Sequence, residues 1–263
     1  MKLLNTFPVA TLLLVSFSTL SNNISVQKIS DDVHLLSGKD YGTNIGLIAV
    51  NNGVVLIDPM PGSEYLAELK QAMRAIYNKP VKGILNTHAH EDHTGGNEYF
   101  KPQGVQWNYS DQNIEGVIHI KVTSHTTTDN IFYHQKSNTL FVGDVFDTSW
   151  HPTFYAGGWA GFNDAVEAIL DLGDDQSLIV PGHGRPTTKS ALLEFRKHTF
   201  EWLNKIDELY QKGWSVEKMM DDTHVKEIVD KFNVENKSPF LPETAYKRFI
   251  ERTVTMIKSD KKR

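Results

Sequence analysis

With 263 residues, 40% of them hydrophobic, the chain is long enough for one α/β domain with a substantial core. A net charge of −5 makes it a poor electrostatic match for nucleic acid. The absence of cysteine excludes disulfides, thiolate metal ligands and a cysteine nucleophile.

The chain opens Met1-Lys2 and continues with an apolar run from Leu3 to Leu20, broken by Pro8 and several Ser and Thr. This pattern predicts a secretory signal over residues 1–21, with cleavage after Ser21 as one candidate, and hence an exported, periplasmic or secreted protein. Residues 22–263 are left as the functional domain. No later run is apolar enough to span a membrane, so no stable membrane insertion is expected of the mature chain.

Residues 26–29 and 33–36 alternate like strands, and residues 45–50 and 54–57 flank Asn51-Asn52-Gly53, a hairpin turn. The second strand of that hairpin ends at Asp58-Pro59. Ser63 is placed as the cap of a helix to Tyr77, with Leu66, Leu69, Met73 and Ile76 on one face and Pro80 as its stop. A short buried strand follows over residues 81–85, and a short helix is expected near residues 96–100.

Strands resume at 116–122, 131–134 and 139–142, with Lys136-Ser137-Asn138 as a turn. A helix is expected over 162–172 and a buried strand over 178–180. The rest reads as helical: 190–211, 215–232 and 243–258, separated by Gly213 and by residues 236–242. The order is strands, helix, strand, then strands, helix, strand, then a helical tail. It predicts two sheets packed face to face with helices outside.

The chemistry concentrates in Asn86-Thr87-His88-Ala89-His90-Glu91-Asp92-His93-Thr94-Gly95-Gly96-Asn97. Imidazole and carboxylate suit zinc and similar divalent metals. His88 and His90, two apart in extended chain, point the same way, while Asp92 and His93 fall past the strand end and can aim at a second point nearby. Three later strand ends carry the same kind of side chain: His125 in Ser124-His125-Thr126, Asp144 in Gly143-Asp144-Val145, and His183 in Pro181-Gly182-His183-Gly184. His119 and His134 lie within strands and read as structural or surface histidines.

A histidine-rich H-x-H-x-D-H motif, then His125, Gly143-Asp144 and Pro181-Gly182-His183-Gly184 in that order resemble the metallo-β-lactamase superfamily. The resemblance implies an αββα sandwich, here with a C-terminal helical extension, and a site at one edge of the two sheets. It implies two Zn2+ ions, with other divalent metals also fitting the ligands. His88, His90 and His125 would hold the first, Asp92, His93 and His183 the second, and Asp144 would bridge them as in glyoxalase-like branches. Asp58 would orient a ligand histidine.

Finer features, from His125-Thr126 and Asp129 to His151-Pro152 and Gly157-Gly158, resemble exported sulfur-oxidation or quinoprotein-associated metallo-hydrolases. The interval from His93 to His125 is short for that branch, which makes His119 the fallback for His125.

The implied activity is hydrolysis of a small ester, thioester or lactam by a hydroxide bridging two metals, with Asp92 orienting it and accepting its proton. The alternatives are a β-lactamase, with Arg185 as a carboxylate partner, a redox di-iron protein, and a metal-binding protein without activity. The di-iron alternative is disfavoured because His90 stands where oxygen-reducing members carry a carboxylate. Tyr155 and Trp159, between Asp144 and the next helix, are expected to contact the small-molecule substrate.

Overall fold

A computed structural model describes residues 23–39, 42–101 and 114–260. The expected signal segment, and residues 102–113 within the short interval, lie outside the described residues.

Two five-stranded sheets are formed. The first has the order β1-β2-β3-β4-β5, with β1 at Ile24–Lys28, β2 at Val33–Gly38, β3 at Ile45–Val50, β4 at Gly53–Ile57 and β5 at Val81–Leu85. The second comprises β6 at Val117–Val122, β7 at Asp129–His134, β8 at Thr139–Gly143, β9 at Leu178–Pro181 and β10 at Thr187–Thr188, in the order β10-β9-β8-β7-β6. Each sheet has one parallel pair, β4 with β5 and β8 with β9, and the others are antiparallel. Parallel neighbours need a crossover. Helix α1, Leu66–Ile76, supplies the first, and α4, Gly158–Leu170, the second; between them in the chain the one-turn helices α2, Glu91–Thr94, and α3, Asn97–Phe100, follow β5.

Period-2 alternation sorts each strand's side chains between two layers. Val33, Leu35, Ile48, Val55 and Ile57 of the first sheet meet Phe132, Phe141 and Val180 of the second between the sheets. Leu36, Leu47, Leu56 and Ile84 point outward onto Leu69, Ala72 and Met73 of α1. Ile131, Leu140, Val142 and Ile179 face the other helical layer. The result is the expected αββα layering, in which each fully buried Leu, Ile, Val or Phe contributes about 1.5–3 kcal/mol.

The helical extension comprises α5, Lys189–Gln211, α6, Val216–Asp221, α7, Thr223–Asp230, and α8, Glu243–Asp260. Trp202 of α5 stacks on Phe249 of α8 at 4.0 Å, and the Trp202 indole N–H donates to Thr253 Oγ1 at 2.9 Å. Among the described residues, no helix is long and apolar enough to cross a membrane.

Several local expectations are corrected. Ser63 caps no helix: it opens a 3-10 turn at Ser63–Tyr65, and α1 begins afterwards with no side-chain cap. The single helix expected over 215–232 is two, because Ser215 and Asp222 each accept a backbone N–H at a new N-terminus. Helix α4 starts four residues early, since packing overrides the low helix propensity of its Gly-rich first turn.

Candidate metal centre

The strand ends gather at one edge of the sandwich. β5 runs out at Leu85, and the chain passes through His88 and His90 into a one-turn helix, α2, at Glu91–Thr94, which carries Asp92 and His93. Asp144 follows β8, and His183 follows β9. His125 sits on the loop between β6 and β7.

The seven side chains form two groups that could each hold a metal ion. One is His88, His90, His125 and Asp144; the other is Asp92, His93, His183 and Asp144. In the first, His90 Nδ1 lies 3.0 Å from both His88 Nε2 and His125 Nε2. Ligand nitrogens of a tetrahedral zinc, each about 2.0–2.1 Å from the ion, sit roughly 3.3 Å apart, so this spacing suits a cation. In the second group, His183 Nε2 is 3.2 Å and His93 Nε2 3.7 Å from Asp92 Oδ2. Asp144 divides its carboxylate between them. Oδ2 faces His125 (3.6 Å) and His88 (3.9 Å), while Oδ1 faces His93 (3.3 Å) and His183 (3.7 Å).

Two atoms test whether these residues fit a metal. His93 Nε2 and Asp144 Oδ1 are fully buried, and neither has a hydrogen-bond partner of good geometry. Such atoms are costly to leave unsatisfied, and a divalent ion would satisfy both.

Asp58 sets which ring nitrogens are available. It accepts the Thr87 backbone N–H at 2.9 Å, the Thr87 hydroxyl at 2.6 Å and His93 Nδ1–H at 2.9 Å. Because the Thr87 hydroxyl proton is committed to Asp58, Thr87 Oγ1 at 3.2 Å accepts from His88 Nδ1–H. Both histidines are therefore held in the tautomer that leaves Nε2 free to ligate. His125 is oriented likewise, with Nδ1–H donating to the Thr153 carbonyl at 2.9 Å.

The electrostatics agree with ligation. Burial lowers His88 to about 3, so it is neutral at pH 7. A hydrogen bond from His183 leads in lowering Asp92 to about 2. Burial works to raise Asp144, but His93, with His183 and His88, outweighs it and holds the carboxyl well below the usual range. Burial also opposes charge on His93 and His183, but the surrounding carboxylates raise both, Asp58 foremost for His93 and Asp92 for His183. Protons and metal compete for those nitrogens, so metal uptake releases protons and weakens as pH falls.

Two glycines make room for the Asp144 carboxylate and for Thr87. A Cβ on Gly182 would lie 1.9 Å from Asp144 Oδ1, and one on Gly143, at φ 53°, would lie 2.4 Å from Thr87 Oγ1. Gly182→Ala is therefore expected to push the Asp144 carboxylate aside and weaken metal binding at least about tenfold. Competition against a chromogenic chelator would show this, and unchanged affinity would place the carboxylate elsewhere.

Of the other sequence candidates, His119 belongs to neither group: its Nε2 lies 2.8 Å from Asn130 Oδ1 and its ring stacks on Phe132. A cavity of about 830 Å³ opens onto the centre, with Asp92, Asp144 and His183 in its wall beside Trp150, Glu235 and Lys237. Tyr155 and Trp159, expected at the substrate, do not line it. Once Thr153 is tied to His125, the chain runs away from the cavity into α4, which turns both rings toward the helical layer. Trp159 packs 5.3 Å from Phe200, and the guanidinium of Arg252 lies 5.0 Å from the Tyr155 ring centroid. Trp150 is the aromatic that faces the site. Arg185 also lies outside this cavity, with its side chain 87% exposed and 4.0 Å from Glu235.

Sequence reasoning missed the supports. Thr43 Oγ1 donates to the Asp92 carbonyl at 2.7 Å. Asn44 Nδ2 donates to the Pro181 and Gly184 carbonyls at 2.9 and 2.8 Å, fastening the first sheet to the His183 loop. Asp129 accepts the backbone N–H groups of Ser124 and Thr126 and so shapes the loop of His125. Buried Asp147, raised to about 6 first by burial and then by Asp144, stands in the cavity wall. Asp129 enters the resemblance without this role, and for the others the sequence signal is no more than a polar group near a strand end.

A family model described as "Metallo-beta-lactamase superfamily" matches residues 38–105. The chain is 31% identical over 179 residues to a Schizosaccharomyces pombe protein named "Probable hydroxyacylglutathione hydrolase", covering 59% of this chain and 67% of that one. It is 26% identical over 109 residues to "Metallo-beta-lactamase type 2" of Elizabethkingia meningoseptica, covering 39% of this chain and less than half, 43%, of that relative. Among solved structures, a metallo-beta-lactamase from Pontibacter korlensis is similar with a TM-score of 0.53 at 22% identity, over 66% of this chain and 97% of that one. One from Hirschia baltica gives 0.54 at 20% identity, over 67% and 97%. At such identities the structural likeness concerns the fold.

Proposed function

This chain belongs to the metallo-β-lactamase superfamily, and we propose that it is a dinuclear zinc hydrolase acting on a small ester, thioester or lactam. The observation that carries this reading is the Asp144 carboxylate, whose two oxygens face two separate groups of ligand atoms. His88, His90 and His125 would hold one ion, Asp92, His93 and His183 the other, with Asp144 between them. Divalent ions in such a site supply Lewis acidity and lower the pKa of water from about 16 towards 7.

The chain's own residues supply orientation and proton handling. Asp92 is ionised and lines the cavity, with its side chain 38% exposed, so it is placed to orient a water and accept its proton. Asp58 and Thr87 fix His88 and His93, so the ligand atoms need little reorganisation. The relatives' names support both thioester and lactam substrates. Arg185, outside the cavity wall, offers the lactam reading no carboxylate partner. Export remains part of this proposal, and N-terminal sequencing of the protein from fractionated cells would test it.

Protein purified without chelator and supplemented with zinc is expected to carry close to two ions per chain by elemental analysis. A glutathione thioester and a chromogenic lactam, assayed side by side on that protein, then assign the substrate class. At most one tightly bound ion would overturn the dinuclear reading, and no hydrolysis of either class or of simple esters would overturn the enzyme reading.

A further inference from the structure

Behind the segment that carries His183 lies a second cavity of about 460 Å³, within the size range of small-molecule sites. Its apolar wall is Phe146, Pro186, Ala191, Phe195, Phe232 and Val234. Val234 is 63% exposed, a large apolar side chain left open to solvent. The chamber adjoins the cavity at the metal centre. Asp147 and Glu235 line both cavities. Between the two cavities Thr148 is pinned to the loop after β9, its N–H donating to the His183 carbonyl at 3.3 Å and its hydroxyl to the Arg185 carbonyl at 3.0 Å.

The charges around this chamber are already matched. Glu194 lies 3.4 Å from Lys197 and 3.6 Å from His198. Lys231 pairs with Glu201 at 2.6 Å, and Glu235 with Lys237 at 3.0 Å, while Arg185 stands 4.0 Å from Glu235. Asp147 Oδ1 accepts the Ser149 N–H and hydroxyl at 2.6 and 2.9 Å. An ionised ligand would compete with these contacts, whereas an uncharged apolar chain would bury the rings and Val234 without disturbing any.

We infer that this chamber binds uncharged apolar chains and serves as the acyl pocket for the substrate hydrolysed next door. The acyl role rests on the hydrolase reading; the binding of apolar chains does not. The occupant is an aliphatic or aromatic acyl group reaching across the divide at Asp147 and Glu235.

Two measurements on the zinc-loaded full chain separate these layers. The first is kcat/KM for p-nitrophenyl esters from acetyl to decanoyl. Each added methylene should raise it by about two- to fourfold until the chamber is full. Ala191→Trp, which fills the chamber, and Val234→Asp, which makes its exposed wall polar, should both collapse the octanoyl-to-acetyl ratio at unchanged zinc content. A flat series in the parent protein, or an undiminished ratio in both variants, overturns the acyl pocket.

The second measurement is the fluorescence of N-phenyl-1-naphthylamine, a neutral apolar probe. It should bind the parent, be displaced by 1-octanol and bind at least tenfold more weakly to both variants. If no ester is cleaved, the hydrolase reading falls and this probe alone decides the chamber. Probe binding lost in the variants supports an apolar site, and no binding to the parent, or equal binding to all three proteins, overturns it.

Discussion

Asp144→Ala should lower kcat/KM about a thousandfold at matched metal loading, equivalent to roughly 4 kcal/mol of transition-state stabilisation. The size follows from position. Asp144 is the one side chain present in both ligand groups, and each of its oxygens faces a different one. Its removal should also reduce zinc content from close to two ions per chain towards one. Stability should change far less. Asp144 Oδ1 makes no hydrogen bond of good geometry, and losing its charge contacts to His93 and His183 should lower the unfolding midpoint of the metal-free chain by less than Asp58→Ala does. Elemental analysis, steady-state kinetics and a thermal melt on the same preparation check all three expectations. Parental kcat/KM at equal loading would remove the bridging role.

Asp58→Ala should fail differently, losing stability and metal affinity together. The carboxylate is 2% exposed and accepts the Thr87 N–H, the Thr87 hydroxyl and His93 Nδ1–H. Removing it strands several buried donors, each costing about 1–3 kcal/mol. Asp58 also sits at φ 51°, a left-handed conformation that alanine adopts with a further cost of about 1 kcal/mol. A loss of roughly 3–5 kcal/mol, or on the order of 10 °C in the melt, is expected.

Zinc affinity should fall ten- to a hundredfold, because His93 and, through Thr87, His88 are no longer held with Nε2 free. Asp58→Asn tolerates the backbone angle and keeps one acceptor, so it should recover part of the stability and little of the affinity. If the alanine variant kept the parent's zinc affinity, the relay from Asp58 through Thr87 to His88 would be wrong. If it kept the parent's melting temperature, the buried hydrogen bonds would not be carrying the load assigned to them.

The layering of the fold was legible because it rests on local periodicity. Alternation in residues 26–29 and 33–36, the apolar runs at 45–50 and 54–57 beside a hairpin turn, and the apolar face of α1 each mark a packed element before any partner is known. Helix ends were less legible. Ser63 looks like an N-cap but opens a 3-10 turn, and the break between α6 and α7 depends on Asp222 accepting one particular N–H. Those outcomes turn on competition between nearby hydrogen bonds, which composition does not resolve.

By itself the sequence determined the residue types and strand-end positions of the candidate ligands. A metal ligand must carry a nitrogen or oxygen donor, and a strand end is where such a group escapes the packed layers. Only the tertiary structure decided their mutual arrangement: that His125 and not His119 joins His88 and His90, that Asp144 divides its oxygens, and that Asp58 controls two tautomers at once. It also turned Tyr155 and Trp159 into the helical layer and left Trp150 facing the cavity. The physical reason is range. Secondary structure follows from neighbours a few residues apart, whereas a site whose candidate ligands come from four separate segments depends on how two sheets and their crossovers pack, and no local pattern encodes those distances.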